Sequence, residues 1–538
     1  MATIPHHTIK NKLIEQMPSL HHEHASYKWW VLLSIMIGTF IAVLDATIVN
    51  VALPNIMASF GTTVDKIEWV VTAYMLVFGI VLPASGWIAD HLGYKRTYFA
   101  ALFIFTFGSF LCGLSWDETS LIFFRVIQGF GAGFIMPVGM AIVIREFPVN
   151  QRGMALGFWG VAAAASVSFG PLIGGYLIDN VSWQAIFDVN VPVGIFGMFA
   201  TLIIQREYRA AAARNFDFLG FISMAVFLTA LLLALSEGNA SWNTGGWTSN
   251  FILTCFAISV IGFIIFIYAE LTVEHPFVEL KLFADFNFGV TNLIFFIFGL
   301  SLFGSTFLLP LYLQNSLGYT AYQAGLVFLP VGILQGIVTP VAGMMSDKWD
   351  ARGPAMVGIV LLAVSFYLNS TLSLFSEHTQ IMLPLYLRGV AMGLLFTPLS
   401  LLALTGIPRD RMAQASGLFN VVRQIGGSFG IAIFGMILTR RSIYHMAMYG
   451  QAIDVNGPMY KSVAANLARF VQWTDGNTAR WSSMQANAII GAHVGQQSFV
   501  QSVDDAFFVA AVVSAVAVFP ILLLRRPKKN TETVAAVE

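Results

Sequence analysis

Pro83-Ala-Ser-Gly86-Trp-Ile-Ala-Asp90 closes one apolar run, and Pro340-Val-Ala-Gly343-Met-Met-Ser-Asp347 closes another 257 positions later. Proline, glycine and acid all return at the same displacement. A second set agrees: Pro148, Gly157, Ser168, Phe169 and Gly170 come back 260 positions on as Pro408, Gly417, Ser428, Phe429 and Gly430. Arg125 with Pro137 is echoed more loosely by Arg388 with Pro398. The chain therefore reads as a duplication of one unit.

The unit is a bundle of membrane helices. Of 538 residues, 57% are hydrophobic and 10% charged, and the mean hydropathy is +0.74; no soluble domain buries so much apolar surface. A bilayer span needs about 20 apolar residues. Runs of that size begin near Trp29, Ile67, Thr97, Thr119, Gly153, Ala185, Asp217, Asn250, Phe288, Ala321, Gly353, Thr379, Ala413 and Val503, fourteen in all. The repeat pairs spans 1 to 6 with spans 9 to 14 and leaves spans 7 and 8 as an inserted pair. An even insertion keeps the two units parallel, related by an axis along the membrane normal. Two such bundles flanking a central path suit alternating access.

The predicted division is a tail over 1–28, a six-helix bundle over 29–205, a linker with the inserted pair over 206–272, five helices of the second bundle over 273–438, a long outer loop over 439–502, its last helix over 503–524, and a tail over 525–538. Short connections alternate in charge. Lys95 and Arg96, Arg145 and Arg152, Arg206, Arg209 and Arg214, Lys281, Lys348 and Arg352, and Arg409 and Arg411 share one side with both tails, whereas Lys66 is the single base in the opposite short loops. The positive-inside rule puts both termini in the cytoplasm. The outer loop carries five basic residues of its own, but long loops escape that rule. Its mixed sequence suggests amphipathic helix on the bundle or membrane surface, either as cover or as a docking point.

Several function classes drop out. No basic stripe with interleaved aromatics points to nucleic acid, and no phosphate-binding loop points to ATP. Cys112 and Cys255 both lie in apolar runs, so neither a disulfide framework nor a thiolate metal site is expected. No nucleophile with its base and no HExxH pattern suggests an enzyme. The histidines of the head, His6, His7, His21, His22 and His24, fit a solvated tail or an adventitious metal; no cofactor is expected.

Four motifs carry chemistry. Gly86-Trp-Ile-Ala-Asp90-His-Leu-Gly93-Tyr-Lys95-Arg96 joins spans 2 and 3: Gly86 permits close helix approach, Asp90 meets a base or a helix N-terminus, and Gly93 permits a tight turn. Leu44-Asp45-Ala-Thr-Ile-Val-Asn50-Val-Ala-Leu-Pro54 sits toward the outer end of span 1. An isolated carboxylate at mid-span costs roughly 2.5–3.5 kcal/mol, so Asp45 faces the interior, either for function or to fix helix packing. Burial favours the neutral acid and a neighbouring cation favours the carboxylate, so a cation that comes and goes loads and unloads a proton. Arg125 in span 4 is the natural cation: at ~1.5 Å per residue its depth matches that of Asp45. Guanidinium is too basic to carry the proton, so it tunes the acid or forms a static pair. Span 5 holds Gly160, Gly170, Pro171, Gly174 and Gly175, which let helices pack closely and bend.

Among the remaining polar groups, Asp188 in span 6 is a second protonatable group or a rim residue. Asn50, Gln128, Asn292, Gln335, Arg388, Asn420 and Arg423 line a path or act as interhelical glue. Abundant Phe, Met and Trp suit an adaptable greasy pocket or face lipid.

The Gly86–Arg96 loop resembles the signature of the major facilitator superfamily, with His91 where arginine is frequent. The span 1 motif with Asp45 resembles that of the fourteen-span drug:proton antiporters of the EmrB/QacA type, the span 4 motif from Arg125 to Pro137 resembles the superfamily's proton-transfer motif, and Gly170-Pro171-Leu-Ile-Gly174-Gly175 resembles its antiporter motif. The resemblance covers all fourteen spans. It implies an all-α major facilitator fold of six, two and six helices in the cytoplasmic (inner) membrane, with Gly86, Asp90, Gly93, Lys95, Arg96 and Asp347 as a cytoplasmic latch. It further implies proton-coupled export of amphiphilic drugs or toxic compounds, Asp45 being the acid, and a periplasmic adaptor and outer-membrane channel as partners in relatives. The alternative is a transporter for one metabolite, siderophore or organic anion.

Overall fold

The computed structural model is all-helical and describes residues 26–62, 64–67, 69–209, 217–238, 242–273, 280–405, 407, 411–475 and 478–525. The His-rich head, the tail beyond residue 525 and the side chain of Asn50 lie outside the described residues. Spans 1 to 6 are Tyr27–Phe60, Trp69–Leu92, Tyr94–Gly113, Glu118–Glu146, Arg152–Asn180 and Ala185–Ile204. Phe218–Glu237 and Asn250–Thr272 are spans 7 and 8. Spans 9 to 14 are Phe286–Asn315, Ala321–Lys348, Arg352–Asn369, His378–Leu404, Met412–Ala452 and Ala479–Val516, the last continued by Val518–Leu523. Thirteen of these helices are long and apolar enough to cross a bilayer, and span 2 brings the number to fourteen. It bends by 58° between Leu82 and Ala84, where Pro83 has no N–H to give the preceding turn.

Hydrocarbon supplies no hydrophobic drive between helices, so close backbone approach does the work. The seam between the bundles shows this along spans 5 and 10. A Cβ on Gly153 would fall 2.5 Å from Gly343 O, one on Gly157 2.7 Å from Pro340 Cα, one on Gly160 2.9 Å from Thr339 Cγ2, and one on Gly325 2.7 Å from Pro171 Cβ. The other seam, between spans 2 and 13, is covered by the inserted pair: Leu82, Met224, Leu228, Phe266 and Val421 form one buried apolar cluster.

One face of the bundle collects both ends of the described chain. Tyr27 Oη donates to Ile204 O at 2.9 Å, Lys28 Nζ to Gln151 Oε1 at 2.5 Å, and Arg352 Nη1 to Leu524 O at 2.7 Å. Lys95, Arg96, Arg152 and Lys348 belong to connections on this side, hereafter the basic face.

Residues 439–502 correct the sequence reading. They are helical over most of their length, with spans 13 and 14 extended into them and Pro458–Asp475 as a separate short helix. Met412–Ala452 has 41 residues, about 60 Å at ~1.5 Å each, against about 30 Å of hydrocarbon. Span 14 runs antiparallel beside it: Arg441 Nε and His445 Nε2 meet Asp505 Oδ2 at 2.6 and 2.7 Å. The short helix Pro458–Asp475 packs on the same partner, with Tyr460 Oη donating to Asn487 Oδ1 at 3.0 Å. Arg441, one of the charges that end the apolar run, is thus paired across two helices; both helices, of 41 and 38 residues, are longer than a bilayer is thick and continue as a stalk, and boundaries at 438 and 503 fall inside helices.

Candidate functional site

Five helices of the first bundle meet at Asp45, which is 0% exposed. Its Oδ2 accepts from Arg125 Nη1 at 2.5 Å, and its Oδ1 from Gln128 Nε2 at 2.8 Å and Asn190 Nδ2 at 3.1 Å. Arg125, 1% exposed, also donates from Nε to Val70 O at 3.1 Å and from Nη1 to Gln128 Oε1 at 2.7 Å. Its guanidinium lies 4.0 Å from the Tyr74 ring centroid. Ser109 Oγ takes both amides, from Gln128 and Asn190, at 3.0 Å each and donates to Phe187 O at 3.0 Å. Cys112 Sγ stands 3.6 Å from Gln128 Oε1.

Helical spacing explains the convergence. Arg125 and Gln128 are three apart and share a face of span 4, and Gly129 and Gly131 bring that span against spans 2 and 3. A Cβ on Gly129 would lie 2.8 Å from Tyr74 O, and one on Gly131 2.4 Å from Phe105 N. Two charges this deep are tolerable because the geometry is short and the remaining hydrogen-bonding capacity is largely used.

Asp188 does not join the network. It is exposed, with Oδ1 2.4 Å from where a Cβ on Gly113 would sit, at the end of span 3. Asn190, two residues on, takes the inward position. Asn190, Ser109 and Tyr74 escaped the sequence reading because uncharged polar residues in a span carry little signal. Gln128 belongs to the network and not to an open path. Asn420 Nδ2 donates to Ser416 O at 2.8 Å while its Oδ1 accepts from Arg423 Nη2 at 3.3 Å. Arg423 is half-buried between the Phe303 and Phe396 rings, 5.8 Å from each centroid. Asn292 is buried, donating to Phe288 O at 2.8 Å, and Gln335 is half-exposed.

The repeat register needs one correction. The missing Cβ of Gly389 faces Val331 O at 2.6 Å as that of Gly129 faces Tyr74 O, and Gly393 faces Val338 at 2.8 Å as Gly133 faces Val81 at 3.0 Å. Arg388, just before Gly389, therefore occupies the place of Gln128. Leu385 takes that of Arg125, so the sequence echo between the two arginines is a slip of nearly one helical turn.

At the basic face, Asp347 bridges the bundles. Its two oxygens accept from Gly153 N and Met154 N, 2.8 Å each, in the first turn of span 5, where free amides and the helix dipole favour an anion. The first-half loop also makes contacts within its own bundle. Glu207 accepts from Lys95 N at 3.1 Å and Arg96 N at 3.3 Å and pairs with Arg96 Nε at 3.5 Å, while Lys95 Nζ donates to Leu202 O at 2.6 Å. Gly93 has φ 101°, which favours glycine, and a Cβ there would fall 2.2 Å from Glu207 Oε1, so that the carboxylate would have to move. Gly86 is buried, and Asp90 accepts from Tyr94 Oη at 2.7 Å. In span 5, Gly170 and Gly174 face span 1, with Thr47 Oγ1 and Ile48 Cγ1 at 2.2 and 2.7 Å from their missing Cβ atoms, while Gly175 faces Tyr322 of span 10 at 3.2 Å.

Two six-helix membrane bundles, joined through glycine seams and carrying a buried ion pair, define a membrane transporter and not an enzyme. The chain belongs to the major facilitator superfamily, whose profile matches residues 35–431, and groups there with the EmrB-type fourteen-span transporters. It is 31% identical over 487 residues to the multidrug export protein EmrB of Haemophilus influenzae, covering 89% of this chain and 92% of that one. It is 30% identical to the fatty acid resistance protein FarB of Neisseria gonorrhoeae, covering 93% and 96%. Among solved structures, the human organic anion transporter MFSD10 superposes with a TM-score of 0.61 at 12% identity, covering 92% of this chain and 99% of that one; that likeness is one of fold.

Proposed function

We propose that this protein is a proton-coupled antiporter that exports amphiphilic drugs or toxic compounds from the cytoplasm across the cytoplasmic (inner) membrane by alternating access. The observation that carries the reading is Asp45, sealed in the first bundle with Arg125, Gln128 and Asn190 all donating to it. Three donors suit an ionised carboxylate, whereas a protonated one has an O–H to place and no use for all three. Taking up a proton therefore requires part of the network to turn away, and that rearrangement couples the proton to movement of the helices that hold it.

The basic face is the cytoplasmic one, with both termini there and the Asp347 bridge as the latch that rocking of the bundles releases. Arg423, Asn420 and Gln335 line the cargo path between the bundles. The stalk points outward, where it is the contact for a periplasmic adaptor and outer-membrane channel. The names of EmrB and FarB support exporters of amphiphiles within this branch. A potential of 100 mV provides about 2.3 kcal/mol per proton charge, enough for a gradient of roughly fifty-fold at ~1.4 kcal/mol per decade.

The test is uptake of lipophilic cations and of fatty acids into everted vesicles, with and without an uncoupler. The wild type accumulates one or both, the uncoupler abolishes accumulation, and Asp45→Asn abolishes it at equal expression. Accumulation indifferent to the uncoupler, or retained by Asp45→Asn, refutes the coupling.

A further inference from the structure

Around Asp45, Arg125 Nε and Nη1, Gln128 Nε2 and Asn190 Nδ2 each have an acceptor; the matching place in the second bundle is the reverse. Arg388 is 1% exposed, and its Nε, Nη1 and Nη2 have no hydrogen-bond partner among the described residues. Its guanidinium lies 4.8 Å from the Phe366 ring centroid and 5.9 Å from that of Phe507. No carboxylate among the described residues pairs with it: Asp504, the buried acid of span 14, is engaged by Leu372 N at 3.1 Å.

The duplication identifies what surrounds this guanidinium. Arg388 stands at the place of Gln128, which in the first bundle touches Asp45, Ser109 and Cys112. Ser166 Oγ bonds Phe40 O at 2.8 Å, and the equivalent Gly426 abuts Phe296 O, 2.3 Å from its missing Cβ. Phe40 and Phe296 are therefore equivalent, and five residues further along each helix so are Asp45 and Ser301. Ala101 and Gly358 share the displacement of 257 that relates Asp90 to Asp347, and the contacts agree with their equivalence: Ala101 O lies against Gly131, and Gly358 against the O of Ala391, the counterpart of Gly131. Eight residues on, Phe366 takes the place of Ser109, and eleven on, Asn369 takes that of Cys112. Ser301 and Asn369 are each 0% exposed, and Ser301 Oγ, Asn369 Nδ2 and Asn369 Oδ1 also have no hydrogen-bond partner among the described residues.

Six orphaned polar atoms, on Ser301, Asn369 and Arg388, thus belong to the symmetry mate of the Asp45 site, and the residue there has exchanged a carboxylate for a short hydroxyl. Leaving such atoms unsatisfied is costly, and an arginine cannot shed its proton to escape. Water satisfies hydrogen bonds but not the charge. We propose that the second bundle holds a small inorganic anion, chloride being the probe of choice, bound by the Arg388 guanidinium, the Asn369 amide and the Ser301 hydroxyl. The anion supplies the negative charge that Asp45 supplies in the first bundle. The three side chains are closed off from the surface, which favours a monatomic ion over an organic cargo as the occupant. The site is independent of the transport reading, because it concerns the fold of one bundle.

The experiment is thermal unfolding of the purified full-length protein in chloride, bromide and gluconate at equal ionic strength. Binding to the folded state alone raises stability with anion concentration. The wild type is expected to melt several degrees higher in chloride and bromide than in gluconate, with saturation. Ser301→Asp, which builds the carboxylate back in, is expected to melt high in all three salts, and Arg388→Gln to lose the salt difference. Equal melting of the wild type in all three salts, or a chloride dependence undiminished in Ser301→Asp, overturns the proposal; should Arg388→Gln fail to fold, Ser301→Asp decides alone.

Discussion

Asp45 and Arg125 tolerate hydrocarbon because each answers the other's charge, and removing either leaves the survivor buried and alone. Arg125→Leu is expected to destabilise the protein by about 3–5 kcal/mol, read as a fall in melting temperature of the purified protein. Asp45→Leu in the same background should restore much of the loss, since an apolar pair of similar volume replaces a buried ion pair at little cost. Gly93→Ala is a second residue-scale case: a positive φ penalises any L side chain by roughly 1–2 kcal/mol, and the new methyl meets Glu207. Combining it with Glu207→Ala relieves the clash but not the backbone term, so thermal unfolding should show partial recovery. The acid and the arginine were legible because a charge in an apolar run is conspicuous. Asn190, Ser109 and Glu207 were not, since their roles depend on which helix faces arrive beside them.

Helices here are joined by what their sequences leave out. Span 5 divides its glycines between span 10, faced by Gly153, Gly157, Gly160 and Gly175, and span 1, faced by Gly170 and Gly174, and the seam leaves no room for a side chain at Gly157. Gly157→Val should therefore prop the bundles apart. With Cys112 and Cys255 replaced by serine, a cysteine at Thr339 should react faster with a soluble maleimide in the Gly157→Val protein than in its parent; equal rates would mean that the seam is not the closure. Asp347→Asn weakens the bridge to Gly153 and Met154 without adding bulk, and the same cysteine should report a smaller increase. The stalk is the element the sequence concealed. Hydropathy ends where Arg440 and Arg441 begin, yet Asp505 on the partner helix takes up Arg441 and His445. Pairings between distant segments leave no periodic trace, so a helix of 41 residues passed for a span followed by a loop. Asp505→Ala should speed amide exchange over Arg441–Ala452 while leaving span 4 unchanged, as measured by mass spectrometry.

Across the whole molecule the duplication was the most readable feature, because glycine, proline and acid recur wherever two copies of one bundle must make the same close contacts. Its register was less readable. An arginine followed by a proline in each span, Arg125 with Pro137 and Arg388 with Pro398, suggested equivalence, and the backbone contacts of Gly129 and Gly389 show that the arginines stand nearly a turn apart. The consequence is asymmetry at the matched positions: Asp45 and Arg125 are paired in the first bundle, whereas Arg388 in the second has no carboxylate partner among the described residues. The proposed function places its coupling acid, Asp45, in the first bundle. The measurement closest to that claim is proton release from the purified, lightly buffered protein when an exported compound is added. The account predicts a stoichiometric release from the wild type and none from Asp45→Asn that still binds the compound; equal release from both would contradict it.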